Sequence, residues 1–274
     1  MLNSAIIGFG FVGKAINRAF TNDISTTIID PKLGTSLDHL PNDADVVFIA
    51  VPTPMGEDGK IDASIVTTSV KYAIESTNAI ICIKSTVTPD VIKELSDLSD
   101  RVVYNPEFLR ERSADEDFVN PNFHIFGGSV KSCDMLRHIY INHSACNMNV
   151  PIYRVEAVEA SFVKYGINTF LASKVLWFNQ FYDVVKNFDA SIDPSSIIEV
   201  VAHDDRVGSS HTVVPGPDGR RGYGGACFPK DTSAFLNFDS SFSVLGEVIR
   251  SNSEYRLRYD LDDRETEQKV KYRQ

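Results

Sequence analysis

Four places along the chain hold residue types that a packed core does not need, and each spacing carries a chemistry. Residues 8–13 read GFGFVG, with Gly8, Gly10 and Gly13 in GxGxxG spacing around Phe11 and Val12. The turn follows an apolar run and opens a helical pattern. In that setting the first glycine permits a tight turn, the second lets the backbone approach a pyrophosphate, and the third lets helix and strand pack closely. The helix start adds unpaired N–H donors and a partial positive charge. Asp30 ends the next apolar run, 22 residues after Gly8. An acid there takes a ribose 2′-hydroxyl and repels a 2′-phosphate, which favours NAD over NADP. A glycine-rich turn without a ligand is the alternative, but strand, glycines, helix and acid agree on a dinucleotide.

The other three places are NPEFLRE (105–111), VKYGIN (163–168) and GYGGACFPKD (222–231). Asn105 suits a helix N-cap and Pro106 the first helical position, so Glu107 and Glu111 are expected on one helical face. Two acids there could exchange protons, and equally the helix dipole favours acids in any first turn. Lys164 and Asn168 are one helical turn apart inside a strongly apolar stretch. A buried ammonium is costly unless paired or used, whereas a lysine that snorkels to the surface is ordinary. Cys227 follows a glycine pair that leaves its thiol approachable, with Pro229, Lys230 and Asp231 just beyond. A helix start and a cation both favour the nucleophilic thiolate. A small buried hydrophobe beside a turn is the other reading of that cysteine.

These residues need elements to hold them. Short Val- and Ile-rich runs at 4–8, 25–30, 46–51, 79–84, 101–105 and 124–128 alternate with helical patterns near 13–21, 63–76, 89–98 and 131–142. That alternation predicts a doubly wound, parallel α/β domain over residues 1–150. From Val155 to Val185 apolar side chains go nearly all the way round one long helix. Such a helix must be buried on every side, so residues 151–253 read as an all-α domain whose long helix also forms a subunit interface. Residues 209–226 read as a loop. Residues 254–274 are densely charged and read as a solvated or frayed tail.

Composition bounds the rest. With 274 residues, 43% hydrophobic and 23% charged, the chain is expected to form two globular domains. A net charge of −10 gives it no electrostatic reason to seek nucleic acid or an anionic membrane. No apolar run approaches the ~18 residues of a membrane span, and the N-terminus lacks the basic start of a leader. Cys82, Cys133, Cys146 and Cys227 form no CxxC pair, and no histidine cluster stands at metal spacing, so no metal is expected. Free thiols suit a reducing, cytoplasmic setting. Cys82, inside AIICI, reads as core.

Taken together, the motifs resemble the UDP-glucose dehydrogenases, within the nucleotide-sugar 6-dehydrogenases. The matching segments are GFGFVG (8–13), VPTPMGEDGKID (51–62), STV (85–87), NPEFLRERSADEDF (105–118), VEAVEASFVKYGIN (155–168), DDRVG (204–208) and GYGGACFPKD (222–231). Lys230 resembles the UDP-glucose and GDP-mannose branches; the N-acetylmannosamine branch usually has Val-Asp there. The resemblance implies a Rossmann-like NAD domain followed by a helical dimerisation domain. It implies a four-electron oxidation of a primary alcohol, UDP-glucose to UDP-glucuronate, in which Cys227 forms a thiohemiacetal and then a thioester. Lys164 and Asn168 would stabilise oxyanions. Asp231, with Thr86 and an ordered water, and Glu107 are the proton-handling candidates, unranked. The NAD contacts implied are Gly8, Gly10, Phe11, Val12, Gly13, Asp30, Lys32, Thr53, Thr86, Glu111 and Lys230. Those for the sugar nucleotide are Glu107, Phe108, Leu109, Arg110, Glu111, Lys164, Asn168, Tyr223 and Gly224, with Arg206 reaching across a homodimer.

Three departures accompany the resemblance. Relatives normally carry a third domain that holds much of the nucleotide, and the chain ends at Gln274, soon after the Cys227 segment, so that domain is expected to be absent. The link after Asp30 is short. The loop from Ser209 to Arg221 is longer than usual, and Arg220 and Arg221 are expected to replace missing phosphate contacts. Other readings stay open: a GDP-mannose dehydrogenase, a catalytically weak NAD-binding fragment or scaffold subunit, and a two-electron hydroxyacid dehydrogenase, which would not need Cys227.

Overall fold

β-Branched residues fit a pleated surface, and runs without polar alternation form strands covered on both faces. The apolar runs follow this rule. The structure, a computed structural model, describes residues 2–20 and 23–272, with the side chain of Glu111 outside that description. The chain divides into two compact units: Met1–Thr53 with Asp62–Lys164, and Pro54–Ile61 with Tyr165–Gln274.

Unit 1 contains β1 (Leu2–Ile7), α1 (Phe11–Ala19), β2 (Ile24–Ile29), β3 (Val46–Ile49), α2 (Ser64–Ser76), β4 (Ile80–Ile83), α3 (Pro89–Asp97), β5 (Val102–Tyr104), α4 (Ala114–Val119), β6 (His124–Gly128), α5 (Val130–His143) and β7 (Ile152–Val155). The sheet order is β2-β1-β3-β4-β5-β6-β7. All neighbours run parallel except β5 and β6, which are antiparallel. Strands β3, β4 and β5 are buried at every residue. The expected doubly wound sheet is parallel but for that one pair, and its last strand lies past residue 150. β7 escaped sequence detection because it is a half-exposed edge strand with Tyr153 and Arg154 facing out, so it has no continuous apolar run.

The core of unit 1 is aromatic and holds a polar node. Tyr140 lies edge-on to Phe20, Phe48 and Phe126. Its hydroxyl donates to Asn105 Oδ1 at 2.8 Å, and the Lys84 ammonium donates to the same oxygen at 2.8 Å. Asn105 Nδ2 donates to the Ile125 carbonyl at 2.7 Å. Burial pushes the Lys84 ammonium below its usual lysine range. Asn105 therefore caps no helix. Its side chain is consumed in the core, and its N–H extends the β5–β4 ladder to Ile83. Residues 105–110 are irregular and a single 3-10 turn, Glu111–Ser113, precedes α4, so Glu107 and Glu111 do not share a helical face.

In unit 2 the elements are α6 (Ala157–Phe188), which begins in unit 1, then α7 (Pro194–Ala202), α8 (Phe228–Phe238), α9 (Ser243–Arg256) and α10 (Asp263–Glu267). A short hairpin closed by the Met55–Ile61 bridge belongs with them. Ala172, Leu176 and Phe178 of α6 are buried, but Phe170 (67%), Trp177 (53%), Val184 (64%) and Phe188 (85%) are exposed. Among the described residues of the single chain, one stripe of the helix at near-heptad spacing is left uncovered.

The charged tail is also corrected. Arg256, Glu265 and Val270 are 1%, 0% and 2% exposed, and α10 opens with a capping box on Asp262. Arg256 and Glu265 look solvated in sequence but are buried against each other, whereas Arg258, Asp260, Asp263 and Glu267 are exposed. Val270→Asp should lower the stability of unit 2 by about 2 kcal/mol or more, the worth of burying that side chain. Urea unfolding followed by Trp177 fluorescence measures this, and a frayed tail would show no change.

Candidate active-site residues in the two units

The carboxyl ends of β1 to β5 lie on one edge of the sheet, and β1 has β2 on one side and β3 on the other. A chain that leaves β1 in both directions opens a crevice at that edge. The glycine turn sits there. Gly8 has φ +93°, and a Cβ on it would lie 2.5 Å from the Ala50 carbonyl oxygen; one on Gly13 would lie 2.1 Å from the Gly8 carbonyl oxygen. Gly10, the N-cap of α1, has open space at the same position. Two glycines are required by packing, and the third leaves room for an incoming group. The first turn of α1, which includes Phe11 and Val12, holds no acid of its own to compete with an anion at the helix's positive end. Asp30 closes β2, where its carboxylate accepts the Phe9 N–H at 2.7 Å and the Lys32 N–H at 2.8 Å. The acid is thereby fixed to the glycine turn itself. This donor and acceptor set fits a dinucleotide: Gly10 and the α1 N-terminus for the pyrophosphate, Asp30 for a ribose.

Two threonines follow the next strands. Thr53 comes after β3 and Thr86 after β4, and they are 3% and 7% exposed. The Thr86 loop is pinned on both flanks. Ser85 Oγ donates to the Val51 carbonyl at 2.7 Å, and Ser161 Oγ to the Val87 carbonyl at 2.7 Å.

Beyond β5, Glu107 and Lys164 form a buried pair in unit 1. The ammonium lies 3.2 Å from Glu107 Oε1, 2.5 Å from the Glu107 carbonyl and 5.2 Å from the centre of the Phe108 ring. Glu107 Oε2 accepts the Leu109 N–H at 2.5 Å. Lys164 is thus buried and paired, and it does not snorkel. The rest of the 107–111 run disperses. Leu109 packs on the core and Arg110 pairs with Asp117 at 2.6 Å. The Glu111 side chain lies outside the described residues.

In unit 2, Cys227 is the half-buried N-cap of α8. Its carbonyl accepts the Asp231 N–H at 3.0 Å. The Asp231 carboxylate is 0% exposed and receives Asn168 Nδ2 at 2.7 Å and Lys230 Nζ at 2.5 Å. One helical turn therefore links the sulfur to a buried acid, an amide and a cation. The helix's positive end favours negative charge at the cap. Upstream, Tyr223 exchanges both backbone hydrogen bonds with the Asn252 side chain, at 2.7 and 2.9 Å. Its hydroxyl lies 3.4 Å from Thr232, and burial pushes that phenol above its usual range.

Three expected arginines have partners within unit 2. Arg206 is exposed and held by Asp204 at 2.6 Å. Arg220 donates to the Asp260 carbonyl at 2.7 Å and stands 3.7 Å from Glu265. Arg221 donates to Asn179 and Asp183 at 2.7 Å. Arg220 and Arg221 thus both have internal partners in unit 2. Sequence reasoning missed Lys84, Asn252, Arg256 and Glu265. A basic or acidic residue predicted to be exposed gives no local sign that a distant partner buries it.

A parallel sheet whose carboxyl edge carries a phosphate turn and a ribose acid defines a dinucleotide-binding α/β protein. Residues 30–144 match the NAD binding domain of the UDP-glucose/GDP-mannose dehydrogenase family, and residues 158–255 match its central domain. The chain belongs to that family, and unit 1 carries its NAD-binding domain. A UDP-glucose 6-dehydrogenase of Haloferax volcanii is 30% identical over 85% of this chain and 64% of its own. One of Rickettsia bellii is 35% identical over 77% and 49%. The structure of a UDP-glucose dehydrogenase from Pyrobaculum islandicum superposes with a TM-score of 0.77 at 26% identity, covering 94% of this chain and 69% of that one. The chain thus spans about half to two thirds of the length of these curated relatives.

Two outcomes follow. Asp30→Ala should weaken NAD binding about tenfold or more, by loss of a charged hydrogen-bond acceptor, and narrow the preference over NADP; titration of both coenzymes measures it. Burial pushes the Cys82 and Cys133 thiols up to about 12 and about 11, and raises Cys146 as well. A raised thiol remains protonated and inert at pH 8. Iodoacetamide at pH 8 should therefore label Cys227 alone, as peptide mass spectrometry would show.

Proposed function

We propose that this protein is an NAD-dependent nucleotide-sugar 6-dehydrogenase that oxidises the C6 alcohol of UDP-glucose to a carboxylate. The observation that carries the reading is the Cys227 cap backed by the buried Asp231–Lys230–Asn168 cluster. A scaffold gains nothing from burying those charges, and a two-electron dehydrogenase needs no thiol there.

The overall change is RCH2OH + 2 NAD⁺ + H2O → RCOO⁻ + 2 NADH + 3 H⁺. Bound NAD supplies a hydride acceptor at each of the two oxidation stages, held by the glycine turn, Asp30, Thr53 and Thr86. The chain's own groups do the rest. Asp231 or Glu107 takes the C6 hydroxyl proton as the aldehyde forms. Cys227 Sγ adds to the aldehyde carbon, and the electron pair of the C=O bond moves to oxygen, giving a thiohemiacetal. Lys164 Nζ and Asn168 Nδ2, one turn apart on α6, stabilise that oxyanion. After the second oxidation the thioester carbon takes up water and the Cys227 thiolate leaves. Glu107, oriented by Lys164, is the base that fits the hydrolysis.

A second part of the reading concerns assembly. The uncovered stripe of Phe170, Trp177, Val184 and Phe188 on α6 supports a homodimer in which two copies of this helix cover each other. In such a dimer Arg206 is the expected substrate contact of the neighbouring subunit.

Purified chain given NAD with UDP-glucose, and separately with GDP-mannose, should yield two NADH per UDP-glucose. Cys227→Ser should abolish the second oxidation. One NADH per sugar, unaffected by that substitution, would contradict the thioester route. For the dimer, Trp177→Glu should convert a two-chain species into monomer in sedimentation velocity.

A further inference from the structure

The central-domain match ends at Tyr255, and the residues after α9 do something specific. Arg256, 1% exposed, is clamped between Asp218 at 2.7 Å and Glu265 at 2.6 Å. Glu265, in α10, is 0% exposed. Its Oε1 accepts Arg256 Nη2 at 2.6 Å, the Tyr272 hydroxyl at 2.6 Å and the Gly225 N–H at 3.3 Å. Its Oε2 accepts the Asp262 N–H at 3.0 Å. A carboxylate removed from water this completely is costly unless its partners repay it. One of those partners is the backbone of the nucleophile loop, two residues before Cys227. The approach is close: a Cβ on Gly224 would lie 2.5 Å from Glu265 Oε1 and from the Arg256 guanidinium carbon.

The same segment is anchored at its far end. The Gln268 carbonyl accepts the Met55 N–H at 2.9 Å, and Lys271 pairs with Glu57. The run from Leu257 to Tyr272 therefore ties the 54–61 hairpin to the loop that carries the thiol. A Gly-Gly-Ala sequence ahead of a nucleophile is conformationally free by itself. Fixing it sets the position of the sulfur before substrate arrives.

We propose that Leu257–Tyr272 is a strap that positions Cys227, with Glu265 as its positioning residue, held on the Gly224–Gly225 backbone by Arg256 and Tyr272. This rests on the reading of Cys227 as the nucleophile.

The test uses the full chain, wild type and with Glu265→Ala or Tyr272→Phe. The emission of Trp177, the chain's only tryptophan, verifies that unit 2 is folded. If the strap positions the thiol, folded Glu265→Ala loses about tenfold or more in kcat, while KM for UDP-glucose moves by no more than about threefold. Alkylation of Cys227 by iodoacetamide at pH 8 rises about threefold or more as the loop loosens. A folded variant whose kcat and alkylation rate both match wild type overturns the proposal, and so does a loss confined to KM. Should Glu265→Ala not fold, Tyr272→Phe removes one strap hydrogen bond and should give the same pattern at about two- to threefold; an unchanged pattern overturns the strap. Wild-type protein without turnover would defeat the dehydrogenase reading, and the alkylation arm would still decide the strap.

Discussion

The arrangement around Asp231 follows from one constraint: a carboxylate with no access to water must be surrounded by donors. Breaking such a pair leaves a buried charge and costs about 3–5 kcal/mol. Asp231 meets the constraint with Lys230 Nζ and Asn168 Nδ2, while its backbone N–H closes the first turn of α8 on the Cys227 carbonyl. The acid therefore fixes two things at once: the rotamer of a residue on α6 and the side chain of its chain neighbour, in the first turn of α8. Cys227, the proposed nucleophile, stands at the cap of that turn.

Unit 1 obeys the same constraint by different means. Lys164 is balanced by Glu107, and the Glu107 carbonyl accepts a second ammonium hydrogen bond. Lys84 has a neutral acceptor instead. Asn105 Oδ1 takes its hydrogen bond and that of Tyr140, while the amide nitrogen is held by Ile125. Asn105 and Glu107 are two residues apart on the segment leaving β5. The Asn105 node thus sets the direction in which the chain presents Glu107 to Lys164. A core polar group and an active-site candidate are one mechanical unit, which is why this stretch does not coil into the helix that its first two residues invite.

Local patterns made most of the architecture legible. Six of the strands announce themselves as apolar runs because burial on both faces leaves no room for polar alternation. The glycine turn was legible because each glycine answers a local requirement, and the ribose acid because β2 fixes its distance along the chain. Long-range pairing was not legible. β7 is stabilised by β6 and needs no apolar run of its own. The charges after Glu254 resemble those of a solvated tail, since nothing local reveals that Arg256 and Glu265 find each other across a turn. NPE reads as a helix start only while the partners of Asn105 are unknown. In each case a tertiary contact overrode a sound local preference.

The distribution of buried charge bears on function more than the fold does. A buried ion pair is often no better for stability than hydrophobic residues of the same volume. The apolar cluster beside the nucleophile loop is small, built on Ala172, Leu176, Tyr223, Val248 and Tyr255. Filling the neighbouring space with leucines would be the simpler way to enlarge it. The chain instead spends that space on Asp231 with Lys230, just after Cys227, and on Arg256 with Glu265, against Gly224 and Gly225. Directional groups at both flanks of a glycine-rich segment fix an atom in place, which dispersion contacts do poorly. On the proposed reading, that is what chemistry at a defined sulfur requires.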